Sequence, residues 1–146
     1  MPATPEDGTV LAFDYGTRVI GIAVGNRLAA SARALTTLAN GDWAQLDTLI
    51  AEWRPSRFVV GLPLALDGGE QAMTRSARAF ATALERRYAC TADLVDERYT
   101  SGEAARRFAE LRASGSAKRK DAAAIDALAA EVILEAWLAD GASGTA

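Results

Sequence analysis

The sequence predicts an α/β domain: a mixed β-sheet flanked by helices on both faces. Two short apolar runs near its start, Val10–Phe13 and Ile20–Gly25, are joined by a few polar residues, which makes an antiparallel hairpin. In the second half, short β-branched runs alternate with helical patterns, which implies parallel pairing. Half of the 146 residues are hydrophobic, enough for a core covered from two sides. The chain is read as one domain, 1–146, with frayed ends at about 1–8 and 140–146, where small and polar residues with Pro and Gly dominate.

The elements follow in order. "GTVLAFDYG" is a buried strand bounded by glycine, and "RVIGIAVGN" is its partner. "YGTR" connects them, with Gly16 expected at positive φ. A third strand is expected around Ala32–Thr37. "DWAQLDTLIAEW" carries Trp43, Leu46, Leu49, Ile50 and Trp53 at helical spacing, with Asp42 as N-cap and Pro55 as stop. "RFVVGLP" is a buried strand running into the loop "LALDGGEQ", and a long helix over 71–88 follows. "ADLVDERYTS" is a strand that ends on carboxylates. Thr100 or Ser101 caps a basic amphipathic helix, "GEAARRFAELRAS". After the loop "GSAKRK" comes the last helix, 121–139, with Asp121 as its cap.

Composition narrows the chemistry. The chain has no histidine and one cysteine, Cys90, which removes the commonest general base and a zinc site of the Cys/His kind. Cys90 reads as a small packed residue, and a single cysteine allows no internal disulfide. No signal-peptide pattern and no apolar run of about 20 residues is present, so a soluble, cytoplasmic protein with no membrane partner is expected. The net charge is −3, yet Arg98, Arg106, Arg107, Arg112, Lys118, Arg119 and Lys120 crowd one stretch opposed only by Glu103 and Glu110. Such a stretch suits either a phosphate-backbone footprint or a solvated helix face and loop.

Three acidic positions stand apart. Asp14 ends the first strand, Asp96 and Glu97 lie on a later one, and Asp126 interrupts an apolar, alanine-rich helix. Sites in open α/β sheets form at strand ends. Carboxylates gathered there repel unless a cation joins them, and Mg²⁺ or Mn²⁺ is the hard, oxygen-seeking choice. Two such ions about 3.5–4 Å apart hydrolyse phosphodiesters without histidine. Each acid also has an ordinary role open to it: Asp14 capping its turn, Asp96 or Glu97 pairing with an arginine, Asp126 on a polar helix edge. Their joint occurrence is what points to a metal site.

"LAFDYGTRVIGIAVGN", "VVGLPLALDGGEQAMTRSARAFA", "VDERYTSGEA" and "IDALAAEVILEAWL" resemble the four signature blocks of the YqgF/RuvX family of bacterial proteins, from about Leu11 to Leu138 in matching order. The resemblance implies a ribonuclease H-like fold and a nuclease of precursor 16S ribosomal RNA; the family has also been described as Holliday-junction-resolvase-like. It places the acids at Asp14, at Asp96 or Glu97, and at Asp126. Adjacent strand residues face opposite sides, so a regular strand supplies only one of the middle pair; Glu97 is preferred, giving Asp14, Glu97 and Asp126 as metal ligands. Arg18 and Arg98 flank the acids and suit either phosphate oxygens or structural ion pairs. Gly61, Leu62 and Pro63 shape a loop beside the site. The chain departs from the family in one respect: a lysine often found just before the helical aspartate is replaced by Ala122–Ala124.

The expected function is a metal-dependent endonuclease trimming the 5′ end of precursor 16S ribosomal RNA, as a monomer or weak homodimer. A Holliday-junction resolvase acting on branched DNA is the second enzymatic reading, for which Trp137 and Leu138 would have to supply an interface rather than core. A non-catalytic nucleic-acid-binding factor in ribosome assembly or transcription is the third. An actin-like kinase is set aside, since it needs two domains and a longer chain.

Overall fold

Strand β1 (Thr9–Asp14) is built of alternating bulk: Leu11 and Phe13 point to one side of the sheet, Val10 and Ala12 to the other, and all four are fully buried. A strand buried on both faces belongs at the centre of a sheet, and β1 lies there. The computed structural model describes residues 8–63, 67–96 and 122–144. Its remaining elements are β2 (Val19–Asn26), β3 (Ser31–Ala39), α1 (Trp43–Trp53), β4 (Arg57–Leu62), α2 (Ala72–Tyr88), β5 (Ala92–Asp96) and α3 (Ala122–Gly144). The five strands run in the order β3-β2-β1-β4-β5. β2 is antiparallel to β1 and β3, and β1, β4 and β5 are mutually parallel. The mixed sheet expected from the sequence is thus present, hairpin first and parallel strands after.

Each face carries its own core. On one, Leu11, Phe13, Ile22, Phe58 and Val60 pack against Leu46 of α1 and Phe80 and Leu84 of α2. Phe13 sits edge-on to Phe58 and Phe80 at 5.7 and 5.5 Å, so the residue before Asp14 is held by rings on two elements. On the other face, Val10, Ala12, Ala23 and Val59 meet Ala130, Ile133, Leu134 and Trp137 of α3. Trp137 is core, only 4% exposed, and its indole N–H donates to Asp93 at 2.9 Å. Asp93 is also paired with Arg57 at 3.0 Å. Trp137 therefore serves packing rather than the interface considered above.

Local signals behave as their chemistry requires. Asp42 caps α1, accepting from the Gln45 amide at 3.1 Å. α1 ends at Arg54 in the left-handed region, directly before Pro55. The Thr74 hydroxyl, fully buried, donates to the Pro63 carbonyl and accepts from the Gln71 amide at 3.0 Å, tying the end of β4 to the start of α2. Thr74→Val keeps the shape but removes both bonds; a loss of about 2 kcal/mol is expected, read from the urea midpoint.

Several sequence expectations change. β3 extends beyond 32–37 because it is an edge strand with partial exposure along its length, which blurs the alternating pattern. The last helix continues to Gly144, past the expected start of a frayed tail at 140; no proline interrupts it. Gly16 is not at positive φ; a Cβ there would lie 2.4 Å from the Val19 carbonyl oxygen, so steric room, not φ, requires glycine. The expected basic helix over 102–114, the loop over 115–120 and the Asp121 cap lie outside the described residues.

Candidate active site

Asp14 continues the Val10–Ala12 series at the C-terminal end of β1, which puts it on the α3 side of the sheet. Its register partner on β2 is Gly21. A Cβ on Gly21 would lie 2.0 Å from the backbone oxygen of Asp126, so α3 is in backbone contact with β2 at that point. One strand pairing and one missing side chain thus bring Asp126 beside Asp14, although 112 positions separate them in the chain. At Gly25, two pleats on, a Cβ would lie 2.2 Å from the Ser31 carbonyl oxygen of β3 and 2.7 Å from Leu134 Cδ2 of α3. The α3 face of β2 is a track of Gly21, Ala23 and Gly25.

The electrostatics record this proximity. The Asp14 carboxyl is pushed up to about 6, first by burial and then by the Asp126 carboxylate. Burial also raises Asp126. Among the described residues, no arginine or lysine is ion-paired with either acid. A partly buried pair of carboxyls with this character is short of positive charge, and a hard divalent cation fits its donor set.

The β1–β2 turn beside Asp14 is also held. Asn40, just after β3, donates its side-chain amide to the Gly16 carbonyl at 2.7 Å and its backbone N–H to the Arg18 carbonyl at 2.9 Å. Arg18 stands exposed in that turn. Asp96 pairs with Leu62 of β4, whose side chain belongs to the α1–α2 core. In-register neighbours share a face, so Asp96 lies on the side of the sheet opposite Asp14. Asp93 and Val95 occupy the α3 side, through Trp137 and the second core.

The structure therefore brings Asp14 and Asp126 together, with Arg18 exposed in the adjoining turn, and sets Asp96 on the other face. Glu97, Arg98, Arg106, Arg107, Lys118, Arg119 and Lys120 lie outside the described residues. Sequence reasoning misses Gly21 and Asn40. Two glycines four apart inside a strand are the available sign of a close backbone approach; nothing marks Asn40.

Residues 8–140 match the family described as RuvX, Holliday junction resolvase. The "Putative pre-16S rRNA nuclease" of Xanthomonas axonopodis pv. citri (strain 306) is 53% identical over 141 residues, covering 94% of this chain and 91% of that one. The protein of the same name from Xanthomonas campestris pv. campestris (strain B100) is 53% identical over 140 residues, covering 93% and 90%. Among solved structures, T. thermophilus RuvC in complex with Holliday junction substrate aligns with a TM-score of 0.57 at 17% identity, over 95% of this chain and 98% of that one. A second Thermus thermophilus RuvC structure aligns with a TM-score of 0.55 at 15% identity, over 92% and 97%. At such identity the structural likeness speaks for the fold alone, a mixed ribonuclease H-like sheet. Match length and sequence identity agree, and this chain belongs to the RuvX family.

Proposed function

We propose that this chain is a metal-dependent endonuclease that cuts phosphodiester bonds in RNA, and that its substrate is the 5′ extension of precursor 16S ribosomal RNA. The observation that carries the reading is the pairing of Asp14 with Asp126 across Gly21, on a face where burial and mutual repulsion favour a cation. The names of its relatives at 53% identity support the choice of RNA. The third ligand in this reading is Glu97. Asp96 is set aside for that place because it lies on the side of the sheet opposite Asp14.

Mg²⁺ or Mn²⁺ would be held by Asp14, Asp126 and Glu97, and when bound supplies Lewis acidity to a phosphate oxygen and to the attacking water. The protein's own part is placement. Phe13 and its aromatic neighbours hold Asp14 rigidly, and Gly21 sets the distance to α3. Arg18 and Arg98 would orient phosphate oxygens. Arg106, Arg107, Lys118, Arg119 and Lys120 would follow the backbone of the nucleic acid. A place in the cytoplasm, where ribosomes are assembled, goes with the RNA assignment. Among the described residues, no helix is long and apolar enough to cross a membrane.

The family description favours one other reading, resolution of branched DNA, and one experiment separates the two. Precursor RNA carrying its 5′ extension and a four-way DNA junction are each incubated with wild type, Asp14→Asn and Asp126→Asn, in Mn²⁺ and in EDTA. A defined RNA product is expected only from wild type with metal, with a loss of about 10³-fold or more in either variant. Preferential cutting of the junction would replace the RNA assignment. Cleavage surviving both substitutions would overturn the carboxylate mechanism, and salt-sensitive binding without cleavage would leave a non-catalytic factor.

A further inference from the structure

The packing of α3 on β2 leaves a question of register. Asp126 lies over Gly21 and Leu134 over Gly25. Eight helical residues rise about 12 Å and four strand residues about 13 Å, so helix and strand run in step. Yet the track beneath them is Gly21, Ala23 and Gly25, which permits close approach but offers almost no side chain to stop the helix sliding or turning. The bulkier side chains under α3, Val10 and Val59, come from β1 and β4, so a directional tie on the β2–β3 side bears on where Asp126 sits.

Glu131 supplies one. Its carboxylate accepts the backbone N–H of Ala34 at 2.9 Å. Ala34 pairs with Ala23 while Thr36 pairs with Ile22, so Leu35 is an extra residue in β3 and the ladder is interrupted there. Glu131 lies about 7.5 Å along the helix from Asp126, level with Ala23, midway along the track. Another directional tie of α3, Trp137 to Asp93, joins β5 at the opposite edge of the sheet and stands about 16 Å from Asp126.

We propose that Glu131 is a positioning residue: by clamping α3 to the bulge of β3, it holds Asp126 at Gly21, opposite Asp14. The importance of that position rests on the carboxylate-pair reading above; the clamp itself does not. Glu131→Gln keeps an acceptor oxygen at the same reach. Glu131→Asp keeps the charge but is one methylene short. Glu131→Ala removes both. Trp137→Phe loosens the far end of the same helix and serves as the stability control.

Mn²⁺ alone is titrated into each full-length protein, followed by electron paramagnetic resonance, and thermal unfolding is measured beside it. The Ala and Asp variants are expected to bind Mn²⁺ about 10- to 100-fold more weakly, with Gln close to wild type. Trp137→Phe should melt at lower temperature yet keep its Mn²⁺ affinity. Ala and Asp variants with wild-type affinity, or a weakening matched by Trp137→Phe, would overturn the proposal. A wild type that binds no Mn²⁺ would sink the nuclease reading instead. Proton–proton contacts between Gly21 and Asp126 then decide the clamp: their loss in the Asp and Ala variants supports it, and their persistence removes it.

Discussion

Asp14→Asn is expected to make the metal-free protein more stable at pH 8 while abolishing cleavage. The folded state raises the Asp14 carboxyl from 3.8 to about 6, so the native protein binds this proton more tightly than the unfolded chain does. The sign is therefore opposite to that of a salt-bridged aspartate. Below about pH 4 the group is protonated in both states and has no effect. Between 4 and 6 its ionisation increasingly favours the unfolded chain, and above about 6 the penalty is complete. Two pH units correspond to about 3 kcal/mol at full weight, and a neutral amide should recover ~2 kcal/mol of it. Chemical denaturation of both proteins in EDTA across pH 4–8 checks this: the difference should be largest at pH 8 and close near pH 4. Adding Mn²⁺ should stabilise wild type far more than the variant, because a neutral amide oxygen is a much weaker ligand than a carboxylate. The same protonation makes Mn²⁺ affinity fall as pH drops through 6. A variant less stable than wild type at pH 8 in EDTA would show that Asp14 is satisfied by some other partner.

Gly21→Ala tests the other half of the site. The added Cβ would meet a backbone oxygen at 2.0 Å, and a backbone atom cannot rotate aside. The helix must lift from the sheet or the strand must bend, at about 3 kcal/mol or more. For a chain of this size that lowers the melting temperature by roughly 10 °C. Asp126 moves with the helix, so Mn²⁺ affinity and cleavage should fall together. Gly41→Ala is the control. Gly41 has nothing within 4 Å of a Cβ but stands at φ +93°, so alanine there strains the backbone without pushing any neighbour. It should lower the melting temperature by a few degrees and leave Mn²⁺ binding unchanged. Equal loss of Mn²⁺ affinity in both variants would mean that stability, not the Gly21 contact, governs the site.

Much of the site is legible in the sequence. Asp14 shows itself as a charge closing an apolar strand, and Asp126 as a carboxylate in an alanine-rich turn, because both break local patterns that are otherwise regular. The ambiguity between Asp96 and Glu97 is one of parity. Only the pairing of Asp96 with Leu62 sets Asp96 on the far face. Gly16 is recognisable as a necessary glycine but for the wrong reason, since a one-dimensional reading sees turns more easily than a carbonyl 2.4 Å away.

Among the described residues, the element types, the hairpin start, the parallel second half and the acids at strand end and helix can be read from local pattern, since they follow from periodicity and from charges placed where apolar residues dominate. That Asp14 and Asp126 meet, that Gly21 is the point of contact, and that Glu131 reaches the bulge in β3 is visible only in three dimensions. Those facts depend on which faces of distant segments touch and at what register. Local patterns carry no record of that, because a strand pairing or a helix docking is settled by packing across the whole sheet.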